Sequence, residues 1–226
     1  SIEHCAQLLQ TTVSETREKE FENLDTREVL AAASMLRASL LGKLGKYKEQ
    51  FEAYDLALRS FEQLSATRRH ERRYHDSTVG TRYNRAMAFY RIGETSKAEA
   101  DLRQALEHFQ RLESIFEVDV YVEHKATAID DTGRVFSDQG KDPEAAQVHR
   151  RAIEFLSVLA QENPEVFRYR ERLAVSRSNL GRVLHKLDED LEAVEQFSEA
   201  VKSLEEIVEQ KPEVHRIHDE LATVYQ

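Results

Sequence analysis

The 226-residue sequence has little of what small or strand-rich folds need: 7 glycines, 3 prolines, 1 cysteine and no tryptophan. Because glycine and proline dominate tight turns, their scarcity excludes a sandwich or barrel with many turns and favours long helices joined by short connections. A single cysteine excludes a disulfide within the chain, which fits a reducing compartment. We therefore expect a cytoplasmic location.

Long apolar runs and a basic charge balance are also missing. The most apolar segment, 29–44, is interrupted by Arg37 and Lys43, so we expect no membrane insertion. The net charge of −10 argues against nucleic-acid binding. There is no glycine-rich phosphate loop, no Gly-x-Ser-x-Gly elbow and no His-Glu-x-x-His motif. These absences predict a protein that is not an enzyme and has no cofactor and no metal site.

What the sequence does contain is an internal repeat of about 48 residues. Displacing the chain by 48 positions aligns Gly133-Arg-Val with Gly181-Arg-Val and Asp142-Pro-Glu-Ala with Asp190-Leu-Glu-Ala. Self-similarity at a fixed period is typical of repeat proteins, in which each repeat packs on its neighbours. Three columns keep one register through the chain: Gly45, Gly93, Gly140 and Asp188; Ala57, Ala105, Ala152 and Ala200; and Leu64, Leu112, Leu159 and Ile207.

Each repeat is predicted to form two helices, because its apolar residues follow the three-to-four spacing of a helical face. The glycine column is expected to end the first helix in a left-handed conformation, with Asp188 as a poorer substitute. Thr95, Asp142 and Asp190 are expected to cap the second helices through side-chain oxygens. We place first helices near 25–44, 68–92, 117–139, 164–187 and 212–226, and second helices near 1–19, 47–66, 95–115, 143–162 and 190–210.

The predicted fold class is all-α: a right-handed superhelix, or solenoid, of antiparallel helix pairs with about ten helices and no β-sheet. We predict one array over 1–226, which begins within a second helix and stops within a first helix. The sequence is therefore expected to be a fragment of a longer array. The array divides into a partial repeat at 1–24, repeats at 25–67, 68–116, 117–163 and 164–211, and a partial repeat at 212–226.

The repeat resembles the tetratricopeptide repeat (TPR). Its period is longer than the standard TPR period of about 34 residues and looks like that of kinesin light chains. The pattern Pro164-x-x-x-Arg168, followed by Leu173-Ala174, looks still more like bacterial arrays that follow a Ser/Thr kinase domain. The resemblance implies a scaffold that binds peptides or partner domains. In the last full repeat, the residues that match the TPR pattern are Leu180, Gly181, Leu184, Ala193, Phe197 and Ala200.

The resemblance also implies that first helices line a concave groove and that second helices face outward. The first helices predicted at 68–92 and 164–187 carry net charges of +5 and +4, whereas that at 117–139 carries −4. The groove is thus expected to alternate basic, acidic and basic. The residues expected to face it are Tyr83, Asn84, Met87, Tyr90 and Arg91; Thr127, Asp130, Asp131, Arg134 and Asp138; and Ser178, Asn179, Arg182, His185 and Lys186.

Two interpretations of these residues stay open. Arg134 and Arg182 occupy equivalent positions and could clamp an acidic side chain of a bound peptide. Alternatively, Asp130 and Asp131 pair with the two arginines in an internal ladder that binds nothing. We predict a protein or peptide partner, acidic in the first interpretation. The alternatives are end-to-end self-association of exposed repeat ends, and a peptide-sensing module that regulates an attached enzyme such as a Ser/Thr kinase.

Two further features have both a functional and a structural interpretation. The segment 67–75 is the densest basic run of the chain and could meet phosphate or an acidic partner. More commonly, such a run is the solvated start of a helix. His149 stands in a slot that is usually large and apolar, and we expect a satisfied, partly buried histidine there rather than a catalytic one.

Overall fold

The fold consists of helices alone in the part of the chain that the structure, a computed structural model, describes: residues 2–18, 24–113, 122–212 and 215–224. This confirms the predicted all-α class. The ten helices are α1 (Ile2–Glu18), α2 (Leu24–Lys43), α3 (Tyr47–Thr67), α4 (Arg72–Arg91), α5 (Thr95–Glu113), α6 (Val122–Asp138), α7 (Asp142–Glu162), α8 (Phe167–Lys186), α9 (Asp190–Gln210) and α10 (His215–Val224).

The chain divides into two compact units, residues 1–117 and 118–226. Unit 1 contains α1 to α5, and unit 2 contains α6 to α10. Within each unit, every helix packs against the next one along the chain, and α8 also touches the alternate helices α6 and α10. Contacts between near neighbours are what a helical repeat requires to bury its apolar faces. None of the described helices is long and apolar enough to cross a membrane.

The column of three glycines and Asp188 ends the first helices as predicted. Gly45, Gly93 and Gly140 have φ angles of 70°, 80° and 70°, and Asp188 has a φ of 59°. In each case the following N–H reaches back to a carbonyl in the last turn, for example Lys46 N–H to Leu41 O at 3.0 Å. This is the Schellman motif, which satisfies carbonyls that the helix end leaves unpaired. A three-residue connection therefore suffices within each repeat.

The predicted side-chain caps of the second helices are wrong. Asp142 and Asp190 are the first helical residues of α7 and α9, and the N-cap positions before them make no side-chain cap hydrogen bond. The Asp142 carboxylate accepts a hydrogen bond from the Ser137 hydroxyl at 2.7 Å. Because the Schellman turn is short, the carboxylate lies inside the first turn of the helix. Its negative charge there interacts favourably with the helix dipole but does not cap a backbone N–H group.

Two first helices begin later than predicted. α4 starts at Arg72 instead of 68, and α8 starts at Phe167 instead of 164. The residues before them form equivalent turns, in which Glu71 N–H donates to Arg68 O at 2.9 Å and Val166 N–H donates to Asn163 O at 3.1 Å. These backbone N–H and C=O groups are paired within the turn, so the helix begins after it. The predicted start at 117 lies outside the described ranges, and the predicted start at 212 adjoins residues 213–214, which also lie outside them.

Close packing of first on second helices depends on small residues. A Cβ added at Gly133 would lie 2.4 Å from Nε2 of His149, and one added at Gly181 would lie 2.9 Å from the Phe197 ring. Real Cβ contacts are not that short, so an alanine at either position would force the ring or the helix to shift. Ala200 is fully buried in a core cluster with Ala174, Leu204, Ile207 and Ile217.

Candidate functional site

The first helices of unit 2, α6 and α8, lie side by side and present the most strongly charged part of the predicted site. Two contacts mark how they are aligned: Ser176 Oγ donates to both carboxylate oxygens of Asp130 at 2.9 Å, and Lys186 Nζ donates to Ser137 Oγ at 2.7 Å. Arg134 and Arg182 lie between these contacts in sequence on their own helices. They therefore occupy corresponding positions on the two packed helices.

The two arginines are exposed, and both are held by their own helix. Arg134 Nη2 lies 2.6 Å from Asp131 Oδ1, one helical turn earlier. Arg182 Nη2 donates to the Ser178 hydroxyl at 3.0 Å. The internal ladder is thus present for Arg134 and Asp131, whereas the Ser178 partner of Arg182 is neutral. As a result, the positive charge of Arg182 is not balanced by that partner.

Asp130 and Ser178 do not lie on an open surface, which corrects their assignment to the groove. Both are buried. The Asp130 carboxylate accepts from Ser176 and lies 3.2 Å from Nδ1 of His149, so it is enclosed between α6, α7 and α8. His149 is itself 1% exposed. It is a satisfied core histidine, as predicted, although it is buried more completely than expected.

The remaining predicted residues of unit 2 are spread along the edge of the same face. His185 and Lys186 are exposed at the end of α8, where His185 Nδ1 lies 2.7 Å from Asp190 Oδ1. Lys186 reaches across to the end of α6. Asp138 is exposed, and Thr127 and Asn179 are half-buried. Arg134, Asn179 and Arg182 are therefore the predicted residues best placed near the α6–α8 contact.

The first helices of unit 1, α2 and α4, are also adjacent. The Tyr74 hydroxyl donates to Glu28 Oε2 at 2.7 Å, and the Thr81 hydroxyl lies 3.5 Å from Met35 Sδ. Of the predicted site residues on α4, two are exposed and three are half-buried. The exposed ones are Asn84 and Arg91, and the half-buried ones are Tyr83, Met87 and Tyr90.

The prediction missed an apolar residue on the same face. Leu36 of α2 is 54% exposed and lies 48 residues before Asn84, so it takes the equivalent place in the preceding repeat. The repeat register alone would have identified it. Unit 1 therefore presents apolar and aromatic side chains where unit 2 presents charged ones.

Metal binding has no support in the described part of the chain, where no group of three His, Cys, Asp or Glu side chains could hold an ion. The predicted residues offer guanidinium groups, the amides of Asn84 and Asn179, carboxylates and partly exposed apolar side chains. Such groups suit the recognition of a polypeptide.

Comparison with known proteins finds similar structures but no similar sequence family. No protein-family model matches the chain, and no curated protein sequence is significantly similar to it. Among solved structures, BtubC from P. vanneervenii is 18% identical with a TM-score of 0.51, and the match covers 92% of each chain. A putative kinesin light chain from Podosopora anserina, with nearly identical TPR-like repeats, is 14% identical.

That match has a TM-score of 0.63 and covers 89% of this chain and 86% of the other. A second structure of the same Podosopora anserina protein, which carries a single substitution, has a TM-score of 0.64 and covers 91% and 88%. At such low identity the likeness concerns the fold. The chain has the fold of a TPR-like helical repeat protein.

Proposed function

We propose that this protein is a non-catalytic scaffold for protein–protein interaction. A peptide or partner segment lies along the first-helix faces, and an acidic side chain of that segment is held by Arg182 with Arg134 beside it. Bidentate hydrogen bonds from a guanidinium to a carboxylate are strong and geometrically specific, which suits the recognition of one acidic residue.

The observation that carries the proposal is the pair of exposed arginines at equivalent positions of adjacent helices in one compact unit. The Arg134 side chain is more than half exposed and forms an ion pair with Asp131 one turn away. A partner carboxylate at this position would share the guanidinium group with Asp131. Arg182 donates to a neutral hydroxyl, which makes it the principal anchor.

The first helices of unit 1 supply a different kind of contact. Leu36 is more than half exposed, and Tyr83, Met87 and Tyr90 are partly exposed on α4. Aromatic residues and methionine are enriched where protein surfaces bind other proteins. We infer that this face takes apolar side chains of a partner and that the acidic residue is recognised separately by unit 2.

Selection from a library of short random peptides, followed by fluorescence anisotropy, tests the proposal. Peptides that bind should be enriched in Asp or Glu. Replacing both arginines, Arg134→Gln with Arg182→Gln, should weaken the selected peptides about tenfold or more, which corresponds to about 1.4 kcal/mol. The single Arg182→Gln change should account for most of the loss.

Arg150→Gln is the matched control. Arg150 is exposed on the second helix α7 of the same unit, and it pairs with Glu192 at 3.1 Å. Its removal subtracts one positive charge without touching a first helix, so binding should stay within about twofold at physiological salt. Selected peptides without acidic residues, or full affinity in the double variant, would reject the clamp.

Self-association is a second candidate because α1 exposes two apolar side chains. Ile2 is 45% exposed and Leu8 is 56% exposed. A contact between copies would cover them. Sedimentation velocity under reducing conditions over a wide range of concentrations should show a mass that rises with concentration, and Leu8→Ser should abolish the rise. A constant monomer mass would exclude this candidate.

A further inference from the structure

Unit 1 contains a cavity of about 630 Å³ between α3, α4 and α5, separate from the predicted groove residues. Its volume is typical of sites for small molecules, which span about 300–1,000 Å³. The basic run near residue 70 contributes to it through Arg69 and His75. The lining residues are Glu62, Ser65, Ala66, Arg69, His75, Thr78, Arg82, His108 and Arg111.

The cavity has an excess of positive charge. Among the lining residues that lie in the described ranges, three are arginines, Arg69, Arg82 and Arg111, and one is a carboxylate, Glu62. The Glu62 side chain is partly exposed and forms an ion pair with Arg82. With both histidines neutral, these described residues carry a formal charge of +2. A cavity walled by one sign of charge attracts a ligand of the opposite sign.

Arg82 lines the cavity with a guanidinium group that is only partly paired. It is buried, and one of its terminal nitrogens bonds to Glu62. Its Nε is also buried, and in the described part of the chain this atom has no hydrogen-bond partner. A buried charged donor without a partner is uncommon because it loses its hydration without compensation.

Two histidines form the other side of the cavity. His75 Nε2 lies 3.0 Å from the carbonyl oxygen of Arg69, so Nε2 carries the proton and donates it. His75 Nδ1 lies 3.3 Å from His108 Nε2. When both rings are neutral, His75 Nδ1 must accept and His108 Nε2 must donate. Protonation at Nδ1 of His108 would then turn that ring into a cationic donor.

Burial and the surrounding positive charges hold His108 neutral. Burial, followed by repulsion from His75, Arg111 and Arg82, lowers the pKa of His108 to about 4. The charged groups that face the cavity are Glu62 from α3, Arg69 from the connection to α4, Arg82 from α4, and Arg111 from α5. An anion among them would favour the protonated ring, and the pKa of His108 would rise.

We propose that this cavity binds a small molecule through a doubly charged oxyanion, such as a phosphate monoester or a sulfate group. Arg82, Arg69 and Arg111 hold the oxyanion, and the rest of the ligand occupies the remaining volume. A single phosphate or sulfate group is smaller than the cavity. A divalent cation is disfavoured here although two imidazoles lie together, because three guanidinium groups would repel it.

Sulfate is the first probe, because it stays doubly charged across the working pH range and any pH dependence then belongs to the protein. The imidazole resonances of His108 are followed by NMR as the pH is varied in sodium sulfate and in sodium chloride of equal ionic strength. The pKa of His108 should rise from about 4 in chloride to above 5 in sulfate. An equal pKa in both salts would overturn the proposal.

Variants at the exposed rim separate binding from folding. Arg111→Gln should weaken sulfate binding about tenfold, because it removes one charge-assisted donor. Arg103→Gln is the control on the same helix: Arg103 is exposed, pairs with Glu99 and does not line the cavity. Both variants should melt at nearly the wild-type temperature. If Arg111→Gln bound sulfate as tightly as the wild type, the assignment would be wrong.

Two further experiments test the source of the oxyanion and the role of His108. Phosphoserine and a short peptide that contains it are compared by calorimetry, and the free amino acid should bind at least as tightly as the peptide. Tighter binding of the peptide would replace the small-molecule ligand by a phosphorylated protein.

His108→Gln should bind sulfate at pH 7.5 within about twofold of the wild type but should lose the increase in sulfate affinity toward pH 5. Retained tightening would reject the role of His108.

Discussion

Units 1 and 2 are built from the same repeat, yet they fill equivalent positions with different residues. The position that ends the first helix is Gly45 and Gly93 in unit 1 but Gly140 and Asp188 in unit 2. The small position that lets first and second helices approach is alanine in unit 1, for example Ala38, and glycine in unit 2. The repeat therefore constrains local conformation and total volume more strongly than residue identity.

The small position lies close to a ring of the second helix in both units. Ala38 packs in one buried cluster with Tyr54, and Gly133 and Gly181 lie directly against the rings of His149 and Phe197. In unit 2 the ring occupies the space that a Cβ would need. Unit 1 accommodates alanine beside a larger ring, so the size of the partner ring does not by itself decide which small residue is used.

The two units also bury an aspartate in different surroundings. In unit 1, Arg85 binds both oxygens of Asp101 at 2.6 and 2.8 Å and also contacts Asp55. Burial acts to lower the pKa of Arg85, but Asp101 and Asp55 together raise it above its ordinary value. In unit 2, Asp130 is bound by a hydroxyl and an imidazole. A charged partner in one unit is replaced by two polar partners in the other.

The largest expected effect comes from breaking the ion pair between Arg85 and Asp101 in unit 1. Arg85→Ala leaves the buried Asp101 carboxylate without its cation and should destabilise unit 1 by about 3–5 kcal/mol. Ser176→Ala in unit 2 should cost only about 1 kcal/mol, because Asp130 keeps His149. Thermal unfolding monitored by circular dichroism, with hydrogen exchange to locate the affected unit, measures both changes.

Arg103→Ala is the control for that experiment, since its exposed pair with Glu99 should contribute less than about 1 kcal/mol. Equal losses for Arg85→Ala and Ser176→Ala would mean that the two buried aspartates are held equally well. In that case the contrast between the units would disappear.

A smaller effect tests the small position. Gly133→Ala brings a Cβ against the His149 ring, and overpacking of this kind costs about 1–3 kcal/mol. Gly80→Ala in α4 of unit 1 is the matched control, because nothing lies within 4 Å of the added Cβ. It should stabilise the helix by up to about 1 kcal/mol.

Calorimetric melting temperatures of the two glycine variants should therefore move in opposite directions. The double variant Gly133→Ala with His149→Ala should lose less stability than the sum of the single changes, because the vacated ring space accepts the methyl group. A strictly additive double variant would show that Gly133 and His149 do not compete for space.

The smallest expected effect comes from a substitution that makes the helix-ending position glycine in both units. Asp188→Gly restores glycine at a left-handed position, where a residue with a Cβ is strained by about 1–2 kcal/mol. Part of the gain is offset by the greater entropy of glycine in the unfolded chain. The expected result is a rise in stability of about 0.5–1 kcal/mol. The reverse change, Gly140→Asp, should lower the melting temperature, and a rise there would contradict the account of the turn.

Much of the fold follows from local patterns in the sequence. The glycine column predicted four helix ends, and the three-to-four apolar spacing placed the helices within about five residues of their observed bounds. Both signals act within one or two turns of the chain. The side-chain caps were predicted wrongly because a shift of one residue turns a capping position into a helical one, and sequence spacing alone does not resolve that shift.

The candidate site was less predictable. The register correctly placed Arg134 and Arg182 at equivalent exposed positions and would have indicated Leu36. It did not foresee that Asp130 is buried, because that depends on Ser176 from α8 and His149 from α7. The basic run 67–75 suggested a contact with phosphate, but not the cavity, whose lining residues extend from Glu62 to Arg111 and come from three helices and a connection.

By itself, the sequence determined the all-α class, the repeat register, the helix ends at glycine and the location of charge on alternate helices. These properties depend on backbone preference and on periodicity, which act between residues close in the chain. Only the tertiary structure decided which polar side chains are buried, which arginines remain exposed and where a basic cavity opens. The depth of a side chain is set by the helices that pack over it, and those helices lie up to nearly fifty residues away in the sequence.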